Sequence, residues 1–137
     1  YTDNWDTWSQ KSDTLVDKTI SFSQSITGCS IIDYEPFKKI HLNFTTKYVG
    51  KQYVDNTQDS ERMLKAYLVQ NLSLSYTLIN KPFKKLMFQF TINNLFNKKY
   101  ETNAWVYKYI ESGSQKTDDG YFPQAGINFM FRAGIMF

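Results

Sequence analysis

The chain has one cysteine, one histidine and three prolines in 137 residues. A lone cysteine, Cys29, excludes an internal disulfide and says little about compartment. A lone histidine, His41, with no cysteine close by in the sequence, leaves no basis for a metal site or a catalytic dyad. No run of apolar residues approaches the roughly 18 that a membrane-spanning helix requires, and mean hydropathy is negative. There is no nucleophile elbow and no glycine-rich phosphate loop. The expectation is therefore a protein that is not an enzyme and uses neither cofactor nor metal. A net charge of +3 is too mild to argue for a nucleic-acid partner. Neither an initiator methionine nor a signal peptide is present, so the sequence reads as a mature segment or a piece of something longer.

Aromatic residues are plentiful: ten Tyr and eleven Phe help to bring the aromatic share to 18%, which favours strands over helices. The clearest pattern is at the end, Ile127-Asn128-Phe129-Met130-Phe131-Arg132-Ala133-Gly134-Ile135-Met136-Phe137. Odd positions carry Ile, Phe, Phe, Ala, Ile and Phe, and a strand lays them all on one face. About ten residues is the length of a tilted strand that crosses a bilayer's hydrocarbon layer, whereas soluble strands usually run about five or six. Only every second residue of such a strand must face lipid, so a negative mean hydropathy does not argue against it.

Four earlier segments repeat the alternation. Residues 26–34 do so weakly. From Lys39, Ile40, Leu42, Phe44, Thr46 and Tyr48 oppose His41, Asn43, Thr45, Lys47 and Val49. In 67–78, Leu68, Leu72, Leu74, Tyr76 and Leu78 oppose Asn71, Ser73, Ser75 and Thr77. In 86–92, Leu86, Phe88, Phe90 and Ile92 oppose Met87, Gln89 and Thr91, and the strand is expected to continue past a bulge at Asn94-Leu95-Phe96-Asn97 through Tyr100 towards Val106. His41 falls on a polar, water-facing wall. Residues 50–63 read as a long mobile connection, and 112–120 as a polar loop with a turn at Thr117-Asp118-Asp119-Gly120. Asp3, Asn4 and Asp6 lack the glycine and glutamate of a calcium loop.

Two short turns share a motif, Pro36-Phe37-Lys38-Lys39 and Pro82-Phe83-Lys84-Lys85. In an antiparallel meander both lie at the end where the chain stops, and both long loops and the N-terminal stretch lie at the other. Transmembrane barrels have that asymmetry. Tyr34, Phe37, Tyr76, Phe83 and Phe137 are then expected near one membrane interface, and Tyr48, Tyr100 and Trp105 near the other. The fold class is all-β, an antiparallel up-and-down transmembrane β-barrel. Five strands cannot close such a barrel, and open edges in lipid cost several kcal/mol per unsatisfied backbone group. The piece is therefore expected to be the end of a larger wall.

At this point the residues resemble the TonB-dependent outer-membrane receptors, particularly those of Bacteroidetes-type bacteria. Lys47-Tyr48-Val49-Gly50-Lys51-Gln52-Tyr53-Val54-Asp55-Asn56-Thr57 is similar to the strand and loop before that family's last hairpins. Asn94-Leu95-Phe96-Asn97-Lys98-Lys99-Tyr100 is similar to its penultimate-strand motif, and Tyr121-Phe122-Pro123-Gln124-Ala125-Gly126 with the terminal strand to its closing segment. The resemblance covers most of the chain from Tyr34 onward. It implies a 22-stranded barrel of which this is about the last five strands, with residues 1–24 an outer loop region and 25–137 the strands, short periplasmic turns and long extracellular loops. The plug domain and the TonB-contacting segment are missing. It further implies an outer-membrane location in a Gram-negative bacterium and import of a scarce nutrient, such as an iron-siderophore, haem or cobalamin. The implied partners are the lipid bilayer, the rest of barrel and plug, TonB through the missing part, and the barrel-assembly machinery. Phe129, Phe131, Ala133, Ile135 and Phe137 resemble the signal that this machinery reads. Asn94, Leu95, Phe96 and Tyr100 carry the family motif. Trp5, Trp8, Asp55, Asn56, Arg62, Asp118 and Asp119 are the candidate ligand-facing residues of the outer loops. Two other classes stay open: a soluble lipocalin or fatty-acid-binding type barrel, and a surface β adhesin or binding module.

Overall fold

The computed structural model describes residues 16–80 and 82–137. Its nine strands are β1 (Thr27–Phe37), β2 (Ile40–Val49), β3 (Gln52–Tyr53), β4 (Met63–Leu64), β5 (Tyr67–Asn80), β6 (Phe83–Asn93), β7 (Glu101–Glu111), β8 (Ser114–Pro123) and β9 (Asn128–Met136). No helix occurs among the described residues. One antiparallel sheet runs β1-β2-β5-β6-β9, and two small hairpins, β3-β4 and β7-β8, stand apart from it. The chain thus moves to the next position in the sheet each time it returns, and the two hairpins are excursions at one end.

Register turns the sequence alternation into two chemically distinct faces. Across the sheet Ile32, Phe44, Leu72, Ile92 and Phe129 form one row, and Tyr34, Leu42, Leu74, Phe90 and Phe131 the next. Diagonal ring pairs tie β6 to β9, with Phe88 and Phe131 centroids 6.3 Å apart and Phe90 and Phe129 6.0 Å apart. Such pairs each add roughly 0.2–1 kcal/mol to strand pairing. The opposite face carries the rows Asp33, Asn43, Ser73, Thr91, Met130 and His41, Ser75, Gln89, Arg132. Its side chains bond one another: Asn43 Nδ2 donates to Asp33 Oδ1 at 2.8 Å, and Ser73 Oγ lies 2.8 Å from Thr91 Oγ1. His41 Nε2 sits 3.2 Å from Asp33 Oδ1, so the polar-wall position expected for it is the one it occupies.

Among the described residues no second layer covers the apolar face. Phe129, Phe131 and Phe137 are 61%, 70% and 77% exposed, and Ile32, Tyr34, Leu74, Phe88, Phe90 and Ile135 are exposed beside them. The apolar residues of the terminal strand are not gathered into an interior. Nor does the sheet close: among the described residues β1 and β9 are free edges. What is seen is an open all-β antiparallel sheet, not a closed barrel.

Several sequence expectations need correction. The strand from Leu86 does not run on to Val106. It stops at Asn93, because Asn94 and Asn97 adopt left-handed φ values of 52° each, and β7 begins a separate hairpin. Residues 112–120 are not a loop. Only Ser112 and Gly113 turn, at φ 52° and 74°, the paired positive values that a two-residue hairpin turn requires. Asp118 and Asp119 therefore lie within β8. Residues 50–63 hold the paired strands β3 and β4 and are not featureless. The two Pro-Phe-Lys-Lys motifs are not equivalent turns either: Pro36 and Phe37 end β1 before a turn at Lys38 and Lys39, whereas Pro82 lies in its turn and Phe83 begins β6. Tyr100 lies outside the strands and stacks on Tyr67 at 4.3 Å, beside buried Val49 and Val69.

Asn94 and its neighbours act as a clamp where β6 leaves the sheet and β9 enters it. Asn94, 3% exposed, donates from Nδ2 to the carbonyls of Lys98 (2.8 Å) and Ala125 (3.1 Å), and its Oδ1 accepts Lys98 N at 2.8 Å. Its own amide donates to Asn71 Oδ1 at 2.9 Å. Asn97 Oδ1 accepts Ile127 N at 3.0 Å, and Leu95 N reaches Gln70 O at 2.8 Å. Removing one partner of a buried bond costs about 1–3 kcal/mol. Asn94→Ala is expected to destabilise by about that much and to lose hydrogen-exchange protection at the Lys98 amide. Asn94→Gly accommodates the positive φ yet should lose the same protection; wild-type exchange in the glycine variant would show that the side chain holds nothing.

Candidate functional site: the ledge beyond the sheet

Three of the buried apolar residues, Val54, Leu64 and Ala104, lie past the end of the sheet that carries the excursions. Leu64, 1% exposed, packs with Val54 and Ala104, and Val106 and Tyr121 close over them. This cluster joins β3-β4 to the β7-β8 hairpin. A third segment, 19–24, lies against it: Phe22 N donates to Tyr53 O at 2.8 Å, Ser21 N to Asn56 Oδ1 at 2.7 Å, and Gln24 Nε2 to Gln52 Oε1 at 2.8 Å. Three stretches far apart in sequence thus build one ledge.

Its charges converge on Asp55. Arg62 Nε and Lys108 Nζ each lie 3.2 Å from Asp55 Oδ2, and Arg62 also reaches Asp59 Oδ2 at 2.7 Å. The Thr57 hydroxyl and amide both donate to Asp55 Oδ1. Burial alone would raise the Asp55 pKa, but the Thr57 bonds and the Lys108 ammonium outweigh it and hold the carboxyl at about 2. Tyr121 is displaced the other way: burial and the neighbouring Asp119 push its phenol up. An open groove of about 530 Å³ runs along the ledge, lined by Phe22, Val54, Asn56, Trp105, Val106 and Lys108 among others. Trp105 lies across Gly120 on the paired strand, its Cε2 2.7 Å from where a Cβ would stand. A side chain at 120 would displace the indole.

Of the candidate ligand-facing residues, the structure brings Asp55, Asn56 and Arg62 together. Asp118 and Asp119 point to opposite faces of β8, Asp118 across from Tyr107 and Asp119 across from Val106. Trp5 and Trp8 lie outside the described residues. Sequence reasoning missed Lys108, Thr57 and Tyr121. The alternation of Ala104, Val106 and Lys108 against Trp105, Tyr107 and Tyr109 was the available signal, since it marks a strand with one packed side. No group of three or more His, Cys, Asp or Glu side chains suited to a metal ion occurs among the described residues. Asp55 is paired with Arg62 and Lys108, and Asp59 with Arg62.

No family model, curated protein or solved structure matches the chain.

Asp55 has a folded pKa below its ordinary 3.8. Its contribution is thus present above that ordinary value and is lost as pH falls through about 2. The shift corresponds to about 2 kcal/mol. Backbone exchange in β3 and β4 is expected to stay slow from pH 7 down to about pH 4 and to accelerate below it. Asp55→Asn should flatten that pH dependence while exchanging faster at neutral pH. An acid response that survives in Asp55→Asn would assign it to other carboxylates.

Proposed function

We propose that this chain forms the closing wall of an outer-membrane receptor of the TonB-dependent kind, about the last five strands of a 22-stranded barrel, with the ledge on the cell exterior. The reading rests on one observation: five long strands in continuous register, apolar and exposed on one face, polar and hydrogen-bonded on the other. Exposed apolar patches beyond a few hundred Å² are rare on soluble monomers, and a lipid-facing surface needs this alternation on every strand. The free edges at β1 and β9 call for neighbouring strands, because unpaired backbone in lipid costs several kcal/mol per group. On this reading the apolar row of β9, Phe129, Phe131, Ala133 and Ile135, followed by Phe137, also serves the barrel-assembly machinery. The nutrient is a small molecule gathered at the ledge, and energy for import arrives through TonB and a plug encoded elsewhere in the polypeptide. A soluble lipid-binding barrel would need its apolar side chains gathered around a ligand, and in these five strands of nine to fourteen residues many of them are exposed.

The test places single cysteines, in a Cys29→Ser background, in the intact receptor reconstituted into bilayers. Probes at Phe90 and Phe131 should be quenched by lipid-borne nitroxides; probes at Thr91 and Arg132 should react with a water-soluble maleimide. Reversed or uniform accessibility would sink the assignment. The isolated segment is expected to aggregate in detergent-free buffer, and a monodisperse, cooperatively melting monomer there would favour the soluble barrel.

A further inference from the structure

We propose that the groove on the ledge takes a short peptide, laid in extended form along the open edge of β7. The inference rests on the reading of the ledge as the ligand-gathering exterior, and it names the class of ligand. Ala104, Trp105 and Val106 all line the groove, and consecutive residues of a strand point to opposite faces. A groove that touches all three therefore runs along the edge of the strand. None of its lining residues comes from β8, and the Trp105 indole is turned the other way, across Gly120. The edge in question is thus the one away from β8, where β7 pairs with no strand among the described residues.

Register fixes what that edge presents. The two-residue turn at Ser112 and Gly113 is closed by Glu111 opposite Ser114, and such a closing pair exchanges both main-chain bonds. Every second pair from there does the same, so Trp105, Tyr107 and Tyr109 direct their amides and carbonyls to β8. Ala104, Val106 and Lys108 direct theirs outward, to the groove. The Ala104 amide has a local acceptor in Asn103 Oδ1 at 2.9 Å. Val106 and Lys108 make no main-chain bond to the rest of the ledge among the described residues. The polar side chains nearby are already engaged: Lys108 Nζ pairs with Asp55, and Asn56 Oδ1 accepts Ser21 N. What is left is a row of main-chain donors and acceptors, repeating at roughly 7 Å, beside the apolar side chains of Phe22, Val54 and Val106. An extended peptide has the matching repeat in its own main chain. Its affinity would come from completing the ladder, and a preference for apolar residues at every second position from the walls. A compact ring ligand could enter the groove's 530 Å³ but has no alternating amides and carbonyls to offer the edge.

The test uses the intact receptor in phosphatidylcholine nanodiscs, read by amide hydrogen exchange. The probe is a pool of capped hexapeptides in which valine, phenylalanine or tyrosine alternates with threonine, against the same pool N-methylated at every residue. At saturation the first pool should slow exchange at the Val106 and Lys108 amides about tenfold or more and leave Tyr107 and Tyr109, already bonded to β8, unchanged. The N-methylated pool should protect neither. Val106→Pro removes an outward donor without removing a bond to β8, since proline is tolerated where the N–H of a strand faces away from its neighbour. It should bind the first pool about tenfold more weakly than Val106→Ala does, roughly the worth of one main-chain bond; the alanine variant loses the same side chain and keeps the amide. Equal protection by both pools, protection by neither, or equal binding by the two variants would overturn the strand pairing. So would loss of Tyr107 protection in Val106→Pro, which would place the 106 amide on the β8 side. Failure of wild type to insert into lipid would overturn the membrane reading as well, whereas insertion without selective protection overturns this proposal alone.

Discussion

Register is the constraint on which everything else depends. In five consecutive strands the same parity carries the apolar side chains, and the pairing aligns those parities into unbroken rows such as Ile32, Phe44, Leu72, Ile92 and Phe129. A slip of one residue in any strand would put His41, Asn43 or Arg132 among phenylalanines and move leucines into the hydrogen-bonded polar face. The polar face makes such a slip costlier still. Asn43 to Asp33, Ser73 with Thr91 and Asn93 to Asn128 are cross-strand bonds that exist in one register only. The short turns at Lys38-Lys39 and Pro82 hold neighbouring strands at that offset, although irregular pairing beside each turn, between Tyr34 and Phe37 and between Leu78 and Asn80, absorbs some of the mismatch.

Burial in the sheet is confined to the end that carries the excursions, and the rest of it lies beyond that end. Val49, Tyr67 and Val69 are closed by Tyr100, and Val54, Leu64 and Ala104 by Val106 and Tyr121. Both clusters sit where the excursions leave the wall. The Asn94 clamp explains how they stay there: one buried amide satisfies backbone groups from Lys98 and Ala125 and so pins both roots of the β7-β8 hairpin. The ledge and the wall therefore rely on different forces. Ladder hydrogen bonds and cross-strand pairs hold the wall, while packing and ion pairs hold the ledge.

How far the sequence could be read follows from that division. All five strands of the main sheet were visible, because alternation is local and every second residue reports it. The final strand, from Asn128 to Met136, was the plainest. The β8 strand was invisible for the opposite reason. Ser114, Gln115, Lys116, Thr117, Asp118 and Asp119 contain no apolar alternation, and they are held extended by pairing to β7. The break after Asn93 was misjudged because an asparagine in a bulge and an asparagine in left-handed backbone look alike in sequence; only the bonds to Lys98 and Ala125 separate them. The Asp55 network was half visible. Asp55, Asp59 and Arg62 lie within one loop, but Lys108 reaches them from a hairpin that the sequence did not reveal.

Asp55, one of the acidic residues nominated as a ligand contact, is already bonded within the ledge. Asp55 accepts from Thr57, Arg62 and Lys108, and Asp59 is held by Arg62, so a charged ligand would first have to displace bonds already made. Asp118 and Asp119, on opposite faces of β8, cannot grip one small molecule together. What the ledge leaves open is aromatic and apolar surface around Trp105 and Phe22. The Asp55 carboxylate serves to keep two excursions in one piece, because Lys108 reaches it from the β7-β8 hairpin.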